Sequence, residues 1–192
     1  MIVYHGTDSF SAQNIVENGI DLTIGEESVD NARGFYTTPS KEFAARRAKM
    51  VTASAKKFRG DDELKASVLQ IEVNESRFSE LQTKEFVGCT YDWKEFVFYN
   101  RIGKRFLNYQ NISSSNHNLD GKYDVVIDET ADAHIGSLVS KFRYKETRTK
   151  VDLRTVIDKV QKSNDASWGK QISFHSHRSL QICIQSIIIV EV

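Results

Sequence analysis

Tyr4-His5-Gly6-Thr7 follows the apolar Ile2-Val3 and reads as the end of a short strand, with a histidine placed where the next residue, a glycine, lets the backbone approach a ligand closely. A second strand pattern stands in Arg33-Gly34-Phe35-Tyr36-Thr37-Thr38, aromatic and β-branched, entered through Gly34 and left through Pro39, the one proline of the chain. Each strand carries one polar aromatic residue, His5 and Tyr36. Two such strands side by side form the walls of a cleft.

Working outward from these stretches, Asp8 to Gly19 is a short helix with capping residues Asp8 and Ser9 and a stop at Asn18-Gly19. Residues 20 to 33 read as a loop. Ser40 caps a helix of about four turns that ends before Gly60. Its Arg46, Arg47, Lys49, Lys56, Lys57 and Arg59 make the most basic stretch of the chain, read first as a solvated helix face. Leu69, Ile71 and Val73 alternate with polar residues as a half-buried strand, and a polar, irregular piece runs to Gly88. Trp93, Phe96, Val97 and Asn100 share one face of a helix that stops at Gly103. Residues 108 to 121, with Ser113-Ser114-Ser115, form a loop.

Lys122 to Ile127 is an apolar central strand, with Asp128 to Asp132 as its acidic exit, and Leu138 and Phe142 belong to a following helix. Leu153, Val156, Ile157 and Val160 set an amphipathic helix over 152 to 162, broken by Ser163 to Gly169. Gln171 to Ser176 alternates as a strand. A short turn or helix leads to a buried strand at Ile187 to Val192. Strands and helices mix without the regular spacing of a doubly wound sheet, so the expected class is α+β.

The 192 residues suit one domain over 1 to 192, and 40% hydrophobic with 27% charged residues is an ordinary globular composition. Lysine plus arginine equals aspartate plus glutamate, 26 against 26, so no global field selects nucleic acid or a membrane surface. Cys89 and Cys183 stand far apart without metal-ligand spacing, and no secretion signal or spanning run is evident, so a cytoplasmic setting without membrane contact is expected. Phosphate-loop and dinucleotide glycine motifs do not occur. His117 and His134 lack partners at ligand spacing, and His175 and His177, read as alternating on one strand, offer two ligands on one face but no third, so no metal is expected.

Five motifs then occur in order: Tyr4-His5-Gly6-Thr7; Gly34-Phe35-Tyr36-Thr37-Thr38; Asp92-Trp93 with Phe96-Val97 and Asn100-Arg101; Tyr123 to Ile127 with Ala131-Asp132; and Gln171 to Ser176 with Leu180. In this order they resemble the bacterial DUF3990 family, which is similar to a branch of the ADP-ribosyltransferase superfamily. The resemblance implies a split β-sheet with peripheral helices that clasps NAD as co-substrate. It implies a triad of His5, Tyr36 and Gln171: His5 bonding the ribose next to adenine, Tyr36 stacking on nicotinamide, Gln171 approaching the nicotinamide ribose. Gly6, Thr7 and Thr37 would line the same cleft.

The implied activity is mono-ADP-ribosylation of a macromolecule, protein or nucleic acid, by the toxin of a toxin–antitoxin pair with a small antitoxin protein as partner. NAD hydrolysis by water and a non-catalytic NAD-binding module are the alternatives. Two departures from the family pattern matter. Glutamine stands where many superfamily members carry glutamate, which replaces a charge by a dipole. Ile127-Asp128-Glu129-Thr130 stands where relatives continue through glycine and proline, and His175-Ser176 where threonine is common; neither is expected to touch the triad. Glu129 or Asp132 would be the source of extra acidity, against the plainer reading of a surface loop.

Overall fold

A computed structural model describes residues 1–109, 115–131, 133–146, 169–190 and 192, without the side chains of 109, 133, 134 and 142–146. The expected helix over 152 to 162, most of the break after it and Asp132 lie outside the described residues. So does the side chain of His134.

Two sheets form the frame. Strands β1 (Ile2–Asp8), β3 (Ala66–Val73) and β7 (Ile184–Val190) make an antiparallel sheet in the order β1-β3-β7. Strands β2 (Phe35–Thr37), β4 (Thr83–Glu85), β5 (Val125–Glu129) and β6 (Lys170–Phe174) make the other, in the order β2-β6-β5-β4. Only the β4–β5 pair in it is parallel. Helices α1 (Ser9–Asn18), α2 (Lys41–Arg59), α3 (Tyr91–Ile102), α4 (Lys104–Tyr109), α5 (Ala133–Glu146) and α6 (His177–Cys183) surround the sheets. The α+β expectation holds.

Local sequence explains the elements that matter for the cleft. The Ser40 hydroxyl accepts the Phe43 N–H at 3.1 Å, and Gly60 closes α2 at φ 65°, a left-handed value that glycine adopts without a Cβ clash. Ala44, Ala48 and Thr52 face the first sheet, small enough to bring helix and strand close. That approach is tightest at Gly6, where a methyl group would lie 1.9 Å from the Ala44 carbonyl oxygen. The glycine therefore admits α2. β1 also runs past it to Asp8, so His5 stands mid-strand and not at a strand end.

Sheet two separates two cores. Val125, Ile172 and Phe174 face the cluster shared with the first sheet, while Val126 faces α3, whose Trp93, Phe96 and Val97 are fully buried. With a period of two, Asp128 falls on the same face as Val126, and Gln171 on the same face as Ser173. Five expectations change here. The acidic exit is inside β5: Asp128 is a buried strand residue beneath α3. The irregular piece before Gly88 contains a 3-10 turn at Glu75–Glu80 and the short β4. The loop placed at 108 to 121 is entered through α4. His177 opens α6 and does not continue the β6 strand. The final strand lies at the sheet edge with β3 as its one strand neighbour, and Ile188 and Ile189, on opposite faces, are 51% and 44% exposed.

Gly6→Ala should lower the unfolding free energy by about 3 kcal/mol, since backbone on both sides must give way. Urea denaturation of the two proteins measures it, and equal midpoints would show that α2 does not need the close approach.

Candidate functional site

The two sheets meet at one pair, Tyr4 and Thr38, which exchange both backbone hydrogen bonds at 2.7 and 2.9 Å. An antiparallel ladder would continue with Gly6 opposite Tyr36. Instead the Tyr36 carbonyl accepts from His5 Nδ1 at 2.7 Å. The imidazole takes the place of the next rung, and the strands separate. Because a carbonyl only accepts, Nδ1 carries the proton and Nε2 keeps a lone pair. The ring stacks on Phe35 at 4.5 Å between centroids. Burial pushes the His5 pKa below its ordinary value against the opposing effect of the Tyr36 carbonyl, and the Arg47 charge lowers it further. His5 is therefore a neutral acceptor at pH 7.

The opened seam is a cleft of about 550 Å³, within the usual range for small-molecule sites. His5, Gly6, Thr7, Tyr36, Thr37 and Gln171 all line it. Tyr36 presents its ring and not its hydroxyl: the O–H donates to the Ala32 carbonyl at 2.5 Å and accepts the Asn31 N–H at 3.0 Å. Burial, with Asp30 nearby, raises its pKa well above the ordinary value, so it stays protonated. Thr37 is tied down through its hydroxyl to the Ile172 carbonyl at 2.8 Å. Gln171, on the second strand from an edge and 6% exposed, faces the cleft with its Nε2 unpartnered. Thr130 Oγ1 on the same wall is likewise buried and unpartnered. Of the four buried side-chain atoms without a partner among the described residues, these two belong to residues that line the cleft.

A polar layer lies behind that wall. Asn31, fully buried, sends its Nδ2 protons to Asp128 Oδ1 at 3.0 Å and Ser173 Oγ at 2.9 Å. Trp93 Nε1 donates to Asp128 Oδ2 at 3.0 Å. Ser173 in turn meets His175 Nε2 at 2.9 Å, while His175 Nδ1 donates to the Arg33 carbonyl at 2.8 Å. His175 thus fixes Ser173 and the loop. Its pKa falls to about 4, chiefly by burial. The Asp128 pKa rises to about 7, because burial, helped by the nearby Asp30 charge, outweighs the hydrogen bonds from Asn31 and Trp93. Asp30 anchors the same loop, its carboxylate 2.5 Å from Arg101 and accepting the Ala131 N–H at 3.2 Å. Asn100 and Arg101 are therefore committed to internal bonds.

A family model described as a protein of unknown function (DUF3990) matches residues 1–185. The chain belongs to the DUF3990 family. No curated protein and no solved structure matches it. The family likeness expected from five ordered motifs is thus borne out for DUF3990, and the family's description attaches no activity to it. No helix among the described residues is long and apolar enough to cross a membrane, and no metal-holding group of three or more His, Cys, Asp or Glu occurs among them.

This DUF3990 chain also has cleft residues that sequence reasoning passed over. Arg47 was absorbed into a solvated basic face, yet it lines the cleft beside His5 with no ion pair among the described residues. Asp30, Asn31 and Thr130 sat in segments read as loop or exit. Asp128 corrects the expectation that the departure at 127 to 130 leaves the triad untouched: it is the cross-strand partner of Gln171. The signal was present, since alternation from Val126 puts Asp128 on the buried face.

The titrations oppose one another. Unfolded histidines gain protons near pH 6.5 while His5 and His175 resist, so stability is lost as pH falls below that value. Folded Asp128 gains its proton near pH 7 and the unfolded one near 4, so its contribution grows as pH falls and is lost as pH rises through 7. Asp128→Asn removes the second effect alone. Between pH 7 and 5 that variant should lose about 2 kcal/mol more stability than the parent, as read from urea midpoints.

Proposed function

We propose that the cleft binds NAD and that the protein is an ADP-ribosyltransferase acting on a macromolecule. The observation that carries the reading is convergence: side chains from three separate parts of the chain, His5, Tyr36 and Gln171, line a single cleft where two sheets part. Their chemistry agrees with the parts of the dinucleotide. His5 Nε2 is a neutral acceptor for a ribose hydroxyl. Tyr36, its hydroxyl engaged, offers a ring face to the flat nicotinamide. Arg47 is an exposed cation suited to the diphosphate. Gln171 and Thr130 line the same wall, where a side-chain amide and a hydroxyl suit ribose hydroxyls.

The reaction breaks the C–N bond between nicotinamide and ribose. Its electron pair leaves with neutral nicotinamide, and positive charge builds at ribose C1′. An acceptor O–H or N–H then forms the new bond to C1′ and releases its proton to solvent. No electron is transferred to or from the protein. Positioning and a wall that tolerates positive charge are the main requirements. A split-sheet ADP-ribosyltransferase architecture, a toxin's role and a small antitoxin partner belong to the same proposal, supported by the motif resemblance.

Incubation with NAD and a cell lysate should release nicotinamide and label a macromolecule. His5→Ala and Tyr36→Ala should each lower the rate by about 100-fold while the fold persists, and Arg47→Ala should raise KM about tenfold with little change in kcat. Free ADP-ribose formed without lysate would assign the water reaction instead. NAD bound in calorimetry but not cleaved would leave a binding module. Absence of both binding and cleavage would overturn the proposal.

A further inference from the structure

We infer that Asp128 is a positioning residue that makes Gln171 the negative pole of the cleft: across the β5–β6 ladder, its carboxylate directs the Gln171 amide so that Oε1 faces the reacting ribose. The inference rests on the NAD-cleaving reading of the site. Asp128 and Gln171 are directly opposed in register, and both are buried, 1% and 6% exposed. The carboxylate already holds Asn31 and Trp93 and has lone pairs to spare. Gln171 Nε2 is shielded from solvent and completes no hydrogen bond, and the Asp128 carboxylate stands directly across the ladder on the same face, so a small turn of the side chain brings the N–H end to Asp128. A planar amide so turned aims its oxygen the other way, toward the cleft that Gln171 lines.

Electrostatics gives this arrangement its consequence. A lone amide opposes developing positive charge with a dipole only, whereas a buried carboxylate behind the amide polarises it and adds its own field along the same line. Ligand pressing on Gln171 closes the remaining gap to Asp128. The missing glutamate of the superfamily pattern is thereby divided between two residues, a charge on β5 and a contact on β6. The groups that act on Asp128 from neighbouring elements are Asp30 and Asn31 from the segment before β2, and Tyr36 from β2. Trp93 and the Asp30-bound Arg101 come from α3, Gln171 and the Ser173–His175 pair from the β6 side. Ionised Asp128 is the active form, and its pKa near 7 places the rise in rate with pH at neutrality.

The test uses the full chain, NAD and nicotinamide release from pH 5.5 to 8.5. The parent's kcat should rise through a limb near pH 7. Asp128→Asn should remove that limb and lower kcat at pH 8 by about tenfold or more, with KM for NAD within about twofold. Adding Gln171→Glu to Asp128→Asn should restore most of the rate, because the charge then stands at the contact itself; a merely structural loss would not be rescued. Independently of turnover, the Gln171 side-chain amide resonances of the parent should shift with pH along the Asp128 titration. An unchanged pH profile in Asp128→Asn, a double variant no faster than the single one, or Gln171 resonances indifferent to pH would each overturn the inference. A parent that releases no nicotinamide would instead sink the NAD reading, and this inference with it.

Discussion

A single imidazole decides that the two sheets part. At Tyr4 and Thr38 the strands β1 and β2 are hydrogen-bonded as in any antiparallel pair. One rung further, His5 takes the Tyr36 carbonyl that β1 backbone would otherwise claim. A sheet that simply splayed there would leave that carbonyl buried and unpaired, at a cost of about 1–3 kcal/mol. The histidine removes the penalty and fixes its own tautomer in the same contact. Gly6 completes the device, since α2 packs where a Cβ would be and keeps β1 from following β2. The cleft is therefore a product of the strand pair's failure, and its lining is set by which side chains stand at the break.

The open wall would collapse without the polar layer behind it. Asn31, from a segment with no regular structure, joins Tyr36, Ser173 and Asp128 in one set of bonds, and Arg101 with Ala131 pins the adjacent Asp30. Burying so many polar groups is tolerable only because nearly all are paired with one another. The exceptions are informative. Asn31 Oδ1 is unpaired within the layer, and Gln171 Nε2 and Thr130 Oγ1 are unpaired on two residues that line the cleft.

Much of this was legible in the sequence, and the failures share a cause. Period-two and helical patterns located β1, β2, β3, β6, α2 and α3, with Ser40 and Gly60 marking the ends of α2, because local sterics and capping act within a few residues. The resemblance to the DUF3990 family, carried by five ordered motifs, singled out His5, Tyr36 and Gln171, which line one cleft. What escaped depended on contacts distant in sequence. Asp30 and Asn31 look like ordinary loop residues until β6 and α3 close over them, 70 to 142 residues away. Arg47 looked like one more solvated cation because a helix pattern does not say which neighbour its polar face meets. The final strand, rich in isoleucine, was read as buried; composition reports affinity for a sheet, not whether the strand lies at its edge.

The charges left along the cleft have a direction. At the β1 and α2 side Arg47 is exposed beside a neutral His5, a combination that attracts an anion and repels a cation. At the β5 and β6 side stand two carboxylates, Asp30, compensated by Arg101, and, buried across the ladder from Gln171, Asp128, bonded to the neutral donors Asn31 and Trp93. A ligand lying across both therefore meets positive potential at one end and, above the Asp128 pKa, negative potential at the other. A diphosphate flanked by a cationic ring has that polarity. Loss of nicotinamide removes the cationic ring and leaves the anionic diphosphate. On the proposed reading, the cleft thus holds the substrate at two poles and its remaining ADP-ribosyl portion at one, so that bond cleavage itself loosens the grip on the part that must move to the acceptor.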